Sequence, residues 1–267
     1  MQDLLSHSFR SALVLATALC MAPAFAATEK KPVASKPKAA AVVKKKAKKP
    51  TKSVNKAQAP KPGPLADFRG KEAPPEVVHM ANWVSYTRNN QKKAFVVIDK
   101  KAAQMYVFEP DGKLKSNATV LLGEAVADVL PPGTASKPIS QLKPHEKATP
   151  AGRFLAKPGK NHKGEDVIWI DYNAAISLHR LRKVGKENRA ERLASAEIDD
   201  NRISNGCVNV PPSFYNSVLR PAVLKKGAYV YVLPETKPPQ QLFGSYDVTN
   251  KATQVAQAPS PGKRAGM

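Results

Sequence analysis

A mostly β domain with a few short helices, arranged as a sandwich or partial barrel, is the fold class this sequence predicts. Seven apolar runs of strand length lie between residues 94 and 234. Turn-forming residues separate several of them, and helical periodicity is confined to three short stretches.

The first element is a helix over PEVVHMANWVSYTRNN (75–90). Proline stands at a plausible first helical position, and Val77, Met80, Ala81 and Val84 share one face. AFVVID (94–99) and AQMYVFEPDGKL (103–114) then read as a hairpin, with Pro110-Asp111-Gly112 as a turn. Further strands are expected at ATVLLG (118–123), GRFLAK (152–157), DVIWID (166–171), AAISLH (174–179) and AYVYVLP (228–234). The polar stretch 124–148 is expected to be an irregular loop. SFYNSVLR (213–220) begins with a possible serine cap and suits a short helix. Residues 180–203 carry twelve charges in twenty-four positions, which marks a surface excursion; about 186–197 would suit a helix.

Four segments follow from composition. Residues 1–26 have a weakly basic start at Arg10, an apolar run over 11–22 and small residues at Ala24 and Ala26. That is the layout of a cleaved secretory signal peptide. The apolar run is shorter than the ~20 residues a membrane span needs. A lipoprotein reading at Cys20 is disfavoured by Leu19, where a small residue is wanted. The expected location is therefore the periplasm or the cell wall. Residues 27–73 form a Lys/Pro/Ala-rich linker expected to be disordered. Within it, 28–63 holds twelve lysines and one acid, Glu29, so half of the formal +22 charge lies there. This stretch is either a solvated linker or a tether to an anionic wall or membrane surface. An exported chain rarely meets DNA, so nucleic acid is not an expected partner. Residues 74–236 form the folded domain, and 237–267 read as a second disordered tail.

With Cys20 removed, "RISNGCVNVPP" (202–212) holds the single remaining cysteine, Cys207. An unpaired cysteine in an exported chain points to a reactive thiol or an intermolecular disulfide, against the blander reading of a small buried hydrophobe. Gly206 before it permits a tight turn that frees backbone N–H groups for a developing oxyanion. A histidine partner helps make the nucleophilic thiolate. Four histidines remain, His79, His145, His162 and His179. His179 ends an expected strand, a rigid place for a base, although a buried histidine bonded to backbone explains it equally well.

The order ISLH…SNGCVNV resembles the L,D-transpeptidase (YkuD-type) catalytic domain, whose pattern is His, a spacer, then Ser-x-Gly-Cys and Arg or Asn two positions on. Here these are His179, Ser204, Gly206, Cys207 and Asn209. ATPAGRF resembles the family's Thr-Pro-x-Gly-x-Phe segment at Thr149, Pro150, Gly152 and Phe154, and VVIDKKAAQMYVFEPDGKL resembles its opening hairpin. The similarity runs over about 94–234. It implies the family's β-rich fold and peptidoglycan stem peptides as substrate. It also implies Cys207 as the acylated nucleophile, with an amine acceptor giving a 3→3 cross-link. His179 would be the base, oriented by the carbonyl of Arg180, and N–H groups near Gly206 and Cys207 would bind the oxyanion. No metal or organic cofactor is implied. The chain departs from the family in Arg180, where many members have a small residue, in Asn205, where several have histidine, and in the 28-residue separation of His179 and Cys207. Alternatives on the same residues are an L,D-carboxypeptidase or endopeptidase. A non-enzymatic alternative is an inactive wall-binding protein.

Overall fold

The computed structural model describes residues 62–250. Helix α1 (Pro75–Thr87) comes first, followed by β1 (Ala94–Asp99), β2 (Gln104–Phe108), β3 (Leu114–Thr119) and β4 (Leu122–Gly123). After three 3-10 turns between 134 and 146 come β5 (Gly152–Lys160), β6 (Asp166–Asp171) and β7 (Ile176–Arg180). The charged excursion holds α2 (Arg189–Ala194) and leads to β8 (Arg202–Ser204) and β9 (Val208–Val210). Two more helices, α3 (Pro212–Phe214) and α4 (Arg220–Lys226), precede β10 (Ala228–Val232) and α5 (Pro239–Phe243).

Eight strands form one sheet in the order β3-β2-β1-β10-β5-β6-β7-β9, and β4 pairs β8 separately. The β1–β10 and β7–β9 pairs are parallel, and the other pairs of the large sheet are antiparallel. Alternation along the central strands explains their double burial. Val96, Ile98, Met105, Val107 and Val230 face one core, which also takes in Ile168, Leu178, Val208 and Val210 from the far end of the sheet. Phe95, Val97, Tyr106, Phe108 and Tyr231 face a second core under α1, closed by Val77, Met80, Ala81 and Val84. Because the first core draws on both ends of the sheet, the sheet curls around it. Just beyond β3, Leu121 exchanges two backbone hydrogen bonds with Asn209 of β9, at 3.0 and 2.9 Å. The expected partial barrel is thus present, with its seam at the strand that follows the cysteine.

Several boundaries differ from expectation. The ordered body extends past 74 and 236 on both sides. Phe68 packs edge-on against Phe108 at 5.4 Å, and Asp67 exchanges backbone bonds with Gly112 and Leu114. At the other end Phe243 and Tyr246 pack on the second core, Val248 is buried, and Ser245 meets His79 at 2.9 Å. A few apolar residues within polar stretches suffice to dock these segments on the α1 side, a signal that averaging over composition dilutes. The expected signal peptide, most of the linker and residues 251–267 lie outside the described residues.

The helix expected at 213–220 is longer and interrupted. Its cap is Pro211 rather than a serine, and a π-helical stretch, Tyr215–Leu219, joins α3 to α4. Pro221 supplies the reason: it lacks an N–H and its ring crowds the preceding turn, which widens. The strand expected at 118–123 splits into the end of β3 and the two-residue β4.

Candidate active site

The cysteine turn is built by its neighbours. Ser204 ends β8 buried, with its Oγ accepting the Gly206 N–H at 3.0 Å and donating to the Cys207 carbonyl at 2.6 Å. Gly206 has φ +117°, and a Cβ there would lie 2.6 Å from the Ala148 carbonyl oxygen. Glycine is required on both counts. Fully buried Thr149 braces the turn from behind, donating to the Gly206 carbonyl at 2.9 Å and accepting the Gly123 N–H at 2.9 Å. The resemblance to Thr-Pro-x-Gly-x-Phe therefore has a physical content in this chain: the threonine locks the cysteine turn.

The Gly206 N–H, expected to serve an oxyanion, does not: it is occupied by Ser204. The Cys207 N–H donates to no described group and is the amide of this turn left open.

β9 lies parallel to β7, with His179 opposite Asn209 and Leu178 opposite Val208. Leu178, Ile176, Val208 and Val210 enter the core. The alternate residues Ser177, His179, Cys207 and Asn209 consequently share the other face. Cys207 Sγ lies 3.6 Å from Ser177 Oγ and donates toward the Ala175 carbonyl at 3.5 Å. It is partly exposed, whereas Ser177 and His179 are buried. His179 stands one strand repeat further along, and no hydrogen bond joins it to the thiol in this arrangement. Ser177 lies two residues before His179 in ISLH, but the sequence alone does not tie it to the cysteine.

His179 Nδ1 lies 2.8 Å from the Arg180 carbonyl, which can only accept. The proton is therefore on Nδ1, and Nε2 carries the lone pair. Burial pushes the His179 pKa down to about 4; the Arg180 carbonyl opposes this, and the nearby charges of Arg182 and Arg189 add to the fall. The ring is neutral at pH 7 and brings no positive charge to the thiol. A neutral ring is nevertheless the form that accepts a proton. The Arg180 side chain points elsewhere, pairing with Asp166 at 2.7 Å and holding that carboxyl below its ordinary range.

The charged excursion is more than a solvated helix. Arg189, its side chain only 9% exposed, pairs with Glu187 at 2.6 Å and donates to Asn209 Oδ1 at 3.0 Å. Arg192 holds the Glu187 and Asp200 carbonyls, and buried Asn201 returns to the Arg192 carbonyl. The excursion thus covers the His179 end of the face. Asn209 is fully buried, and its Nδ2 finds no acceptor.

His79, His145 and His162 lie in α1, a 3-10 turn and the β5–β6 turn region, away from this face. Among the described residues no helix is long and apolar enough to cross a membrane.

No family model matches the chain, and no curated protein matches it. Solved structures similar to it include the L,D-transpeptidase C442S mutant of Enterococcus faecium, at 19% identity and a TM-score of 0.29 over 53% of this chain and 50% of that one. The L,D-transpeptidase (Yku) of Stackebrandtia nassauensis is 19% identical, with a TM-score of 0.34 over 61% of this chain and 68% of that one. The helical cell shape determining protein Pgp2 of Campylobacter jejuni is 13% identical, with a TM-score of 0.35 over 55% of this chain and 49% of that one. The chain spans about half the length of the first and third of these structures.

Proposed function

We propose that the chain is a cysteine acyltransferase acting on peptidoglycan stem peptides outside the inner membrane. The observation that carries the proposal is the shared face of Cys207, Ser177 and His179, behind a cysteine turn braced by Ser204 and Thr149. The substrate class comes from the motif resemblance at His179, Ser204, Gly206, Cys207 and Asn209.

The reaction needs Sγ to leave Ser177 and Ala175 by a change of χ1 rotamer toward His179. Neutral His179 then takes the thiol proton on Nε2 as sulfur attacks the carbonyl of the third stem residue. The developing oxyanion meets the open Cys207 N–H. Collapse breaks the amide bond, and the leaving amine of the terminal D-residue takes the proton from His179. A thioester on Cys207 remains. An acceptor amine attacks it, gives its proton to His179, and releases a new amide and the thiolate, which is reprotonated. With water as acceptor the product is an acid, so a hydrolase uses the same residues.

The test is incubation with purified muropeptides and mass spectrometry of the products. A 3→3 cross-linked dimer together with free D-amino acid is expected, and Cys207→Ala should form neither while melting like the parent. Turnover by folded Cys207→Ala would end the proposal. A shortened stem without dimer would reassign the enzyme as a carboxypeptidase.

A further inference from the structure

On the side of the sheet where β1 and β10 begin, the chain forms a recess of about 530 Å³. Five lysines line it: Lys92, Lys93, Lys115, Lys225 and Lys226. None is ion-paired to a described residue. The lining also includes Glu109 and Asp111, each ion-paired with a cation that does not line the recess, Arg69 at 3.8 Å and Lys113 at 3.2 Å. Lys93 alone is engaged, donating to the Lys226 carbonyl at 2.8 Å. The five lysines outnumber the two carboxylates of the lining, and Lys92, Lys115, Lys225 and Lys226 stand exposed around one concavity.

The lining also holds the apolar residues Ala94, Phe108, Pro110, Pro221 and Ala222. A smaller recess adjoins it, sharing Lys92, Pro110 and Asp111 and reaching Gly63. Gly63 is the last residue of the lysine-rich stretch 28–63. Around the closed sheet, β2 and β3 on one side and β10, β5, β6 and β7 on the other separate β1 from β9, and no lining residue of the recess belongs to β7 or β9.

We propose that this recess binds an anionic glycan, a sugar chain bearing carboxylate or other acidic substituents. Lysines are compact point charges that hold anions without requiring a fixed fork geometry. Apolar lining beside them suits the C–H face of a sugar ring. A flat membrane cannot enter a concavity. A single-stranded nucleic acid would need exposed aromatic platforms, and the one aromatic lining residue, Phe108, is fully buried. The inference does not depend on the cysteine chemistry.

The probe is a heparin-derived hexasaccharide, titrated calorimetrically against the full chain at low and at physiological salt. Lys92→Gln, Lys115→Gln and Lys225→Gln together should weaken binding by about tenfold, as expected for three partly screened contacts. The matched set Lys163→Gln, Lys183→Gln and Lys186→Gln removes the same charge elsewhere and should change affinity less than twofold. Binding should weaken with salt. An equal loss in both sets would overturn the proposal, because net charge alone would then explain capture. So would equal affinity for a neutral chitin hexasaccharide. Binding of anionic phospholipid vesicles that needs the same three lysines, without hexasaccharide binding, would overturn it in favour of a membrane surface. If the triple variant melts early, Lys92→Gln and Lys225→Gln singly give the same reading.

Discussion

Two buried polar clusters flank the cysteine turn, and they differ in how completely their members are satisfied. Behind the turn, fully buried Lys100 donates to the Ala127 carbonyl at 2.6 Å, to Asp128 at 2.9 Å and to the Thr149 carbonyl at 3.0 Å, with Glu235 at 3.2 Å. Arg202 reaches Glu235 and the Lys100 carbonyl. Burial pushes the Asp128 carboxyl up, yet donors from Thr236, the Glu235 N–H and Lys100 outweigh it and hold it well below the carboxylate range. In front of the turn, His179 is held neutral with Nε2 open, and Asn209 Nδ2 has no acceptor. An unsatisfied buried donor costs about 1–3 kcal/mol. A saturated cluster fixes geometry, whereas an incomplete one keeps groups available for a substrate.

Removing one charge from the saturated cluster should give the largest loss of stability. Lys100→Met leaves Asp128 and Glu235 buried and uncompensated on that side, and about 3–5 kcal/mol should be lost. Urea unfolding at unchanged m-value reads it. A loss below about 1 kcal/mol would mean the cluster does not clamp the turn.

The incomplete cluster should respond in the opposite way. His179→Asn retains an N–H near the Arg180 carbonyl but has no base. Turnover should fall about 10²–10⁴-fold, while stability at pH 7 should move by only about 1 kcal/mol, the worth of one hydrogen bond. A large stability loss with turnover retained would reverse the two roles.

The pH dependence of stability separates the clusters further. The folded His179 pKa lies near 4, against 6.5 for the ordinary side chain. Between those values the unfolded chain binds the extra proton, so stability is full above pH 6.5 and declines as pH falls toward 4. The contribution is about 3 kcal/mol. Denaturation curves across this window should show the decline, reduced by that amount in His179→Asn. The depressed Asp128 contributes stability above the carboxylate range and gives it up only in stronger acid, below this window. An unchanged profile in His179→Asn would show that the ring is not held neutral by burial.

The smallest effect is expected from the cover. Arg189→Ala removes a positive charge near His179 and part of its shield, so the acid limb of kcat/KM should move upward, toward the ordinary histidine value. At pH 7 the rate should change less than about tenfold, the equivalent of ~1.4 kcal/mol. A downward move would contradict the electrostatic reading of the excursion.

The sequence made the long strands legible because alternation and β-branched composition repeat over five or six residues in β1, β6 and β10. β8 and β9 escaped, since three residues carry no period, although they bracket the cysteine itself. Cys207 and His179 were legible through residue type and order. Ser177 became visible only when the parallel β7–β9 register set it beside Cys207. The Lys100 cluster was hidden for a different reason: its members lie at positions 100, 128, 202 and 235, joined only by tertiary contacts. Sequence also could not reveal that Ser204 consumes the Gly206 N–H, because only the folded turn fixes which donor is spent.

The central claim is that Cys207 carries the acyl group, and intact-protein mass spectrometry during turnover of a stem tetrapeptide tests it directly. A covalent adduct equal to the acyl tripeptide should accumulate, map to the Cys207 peptide and disappear on addition of hydroxylamine, with none in Cys207→Ala. Product formation with the adduct on another residue, or undiminished in folded Cys207→Ala, would contradict it.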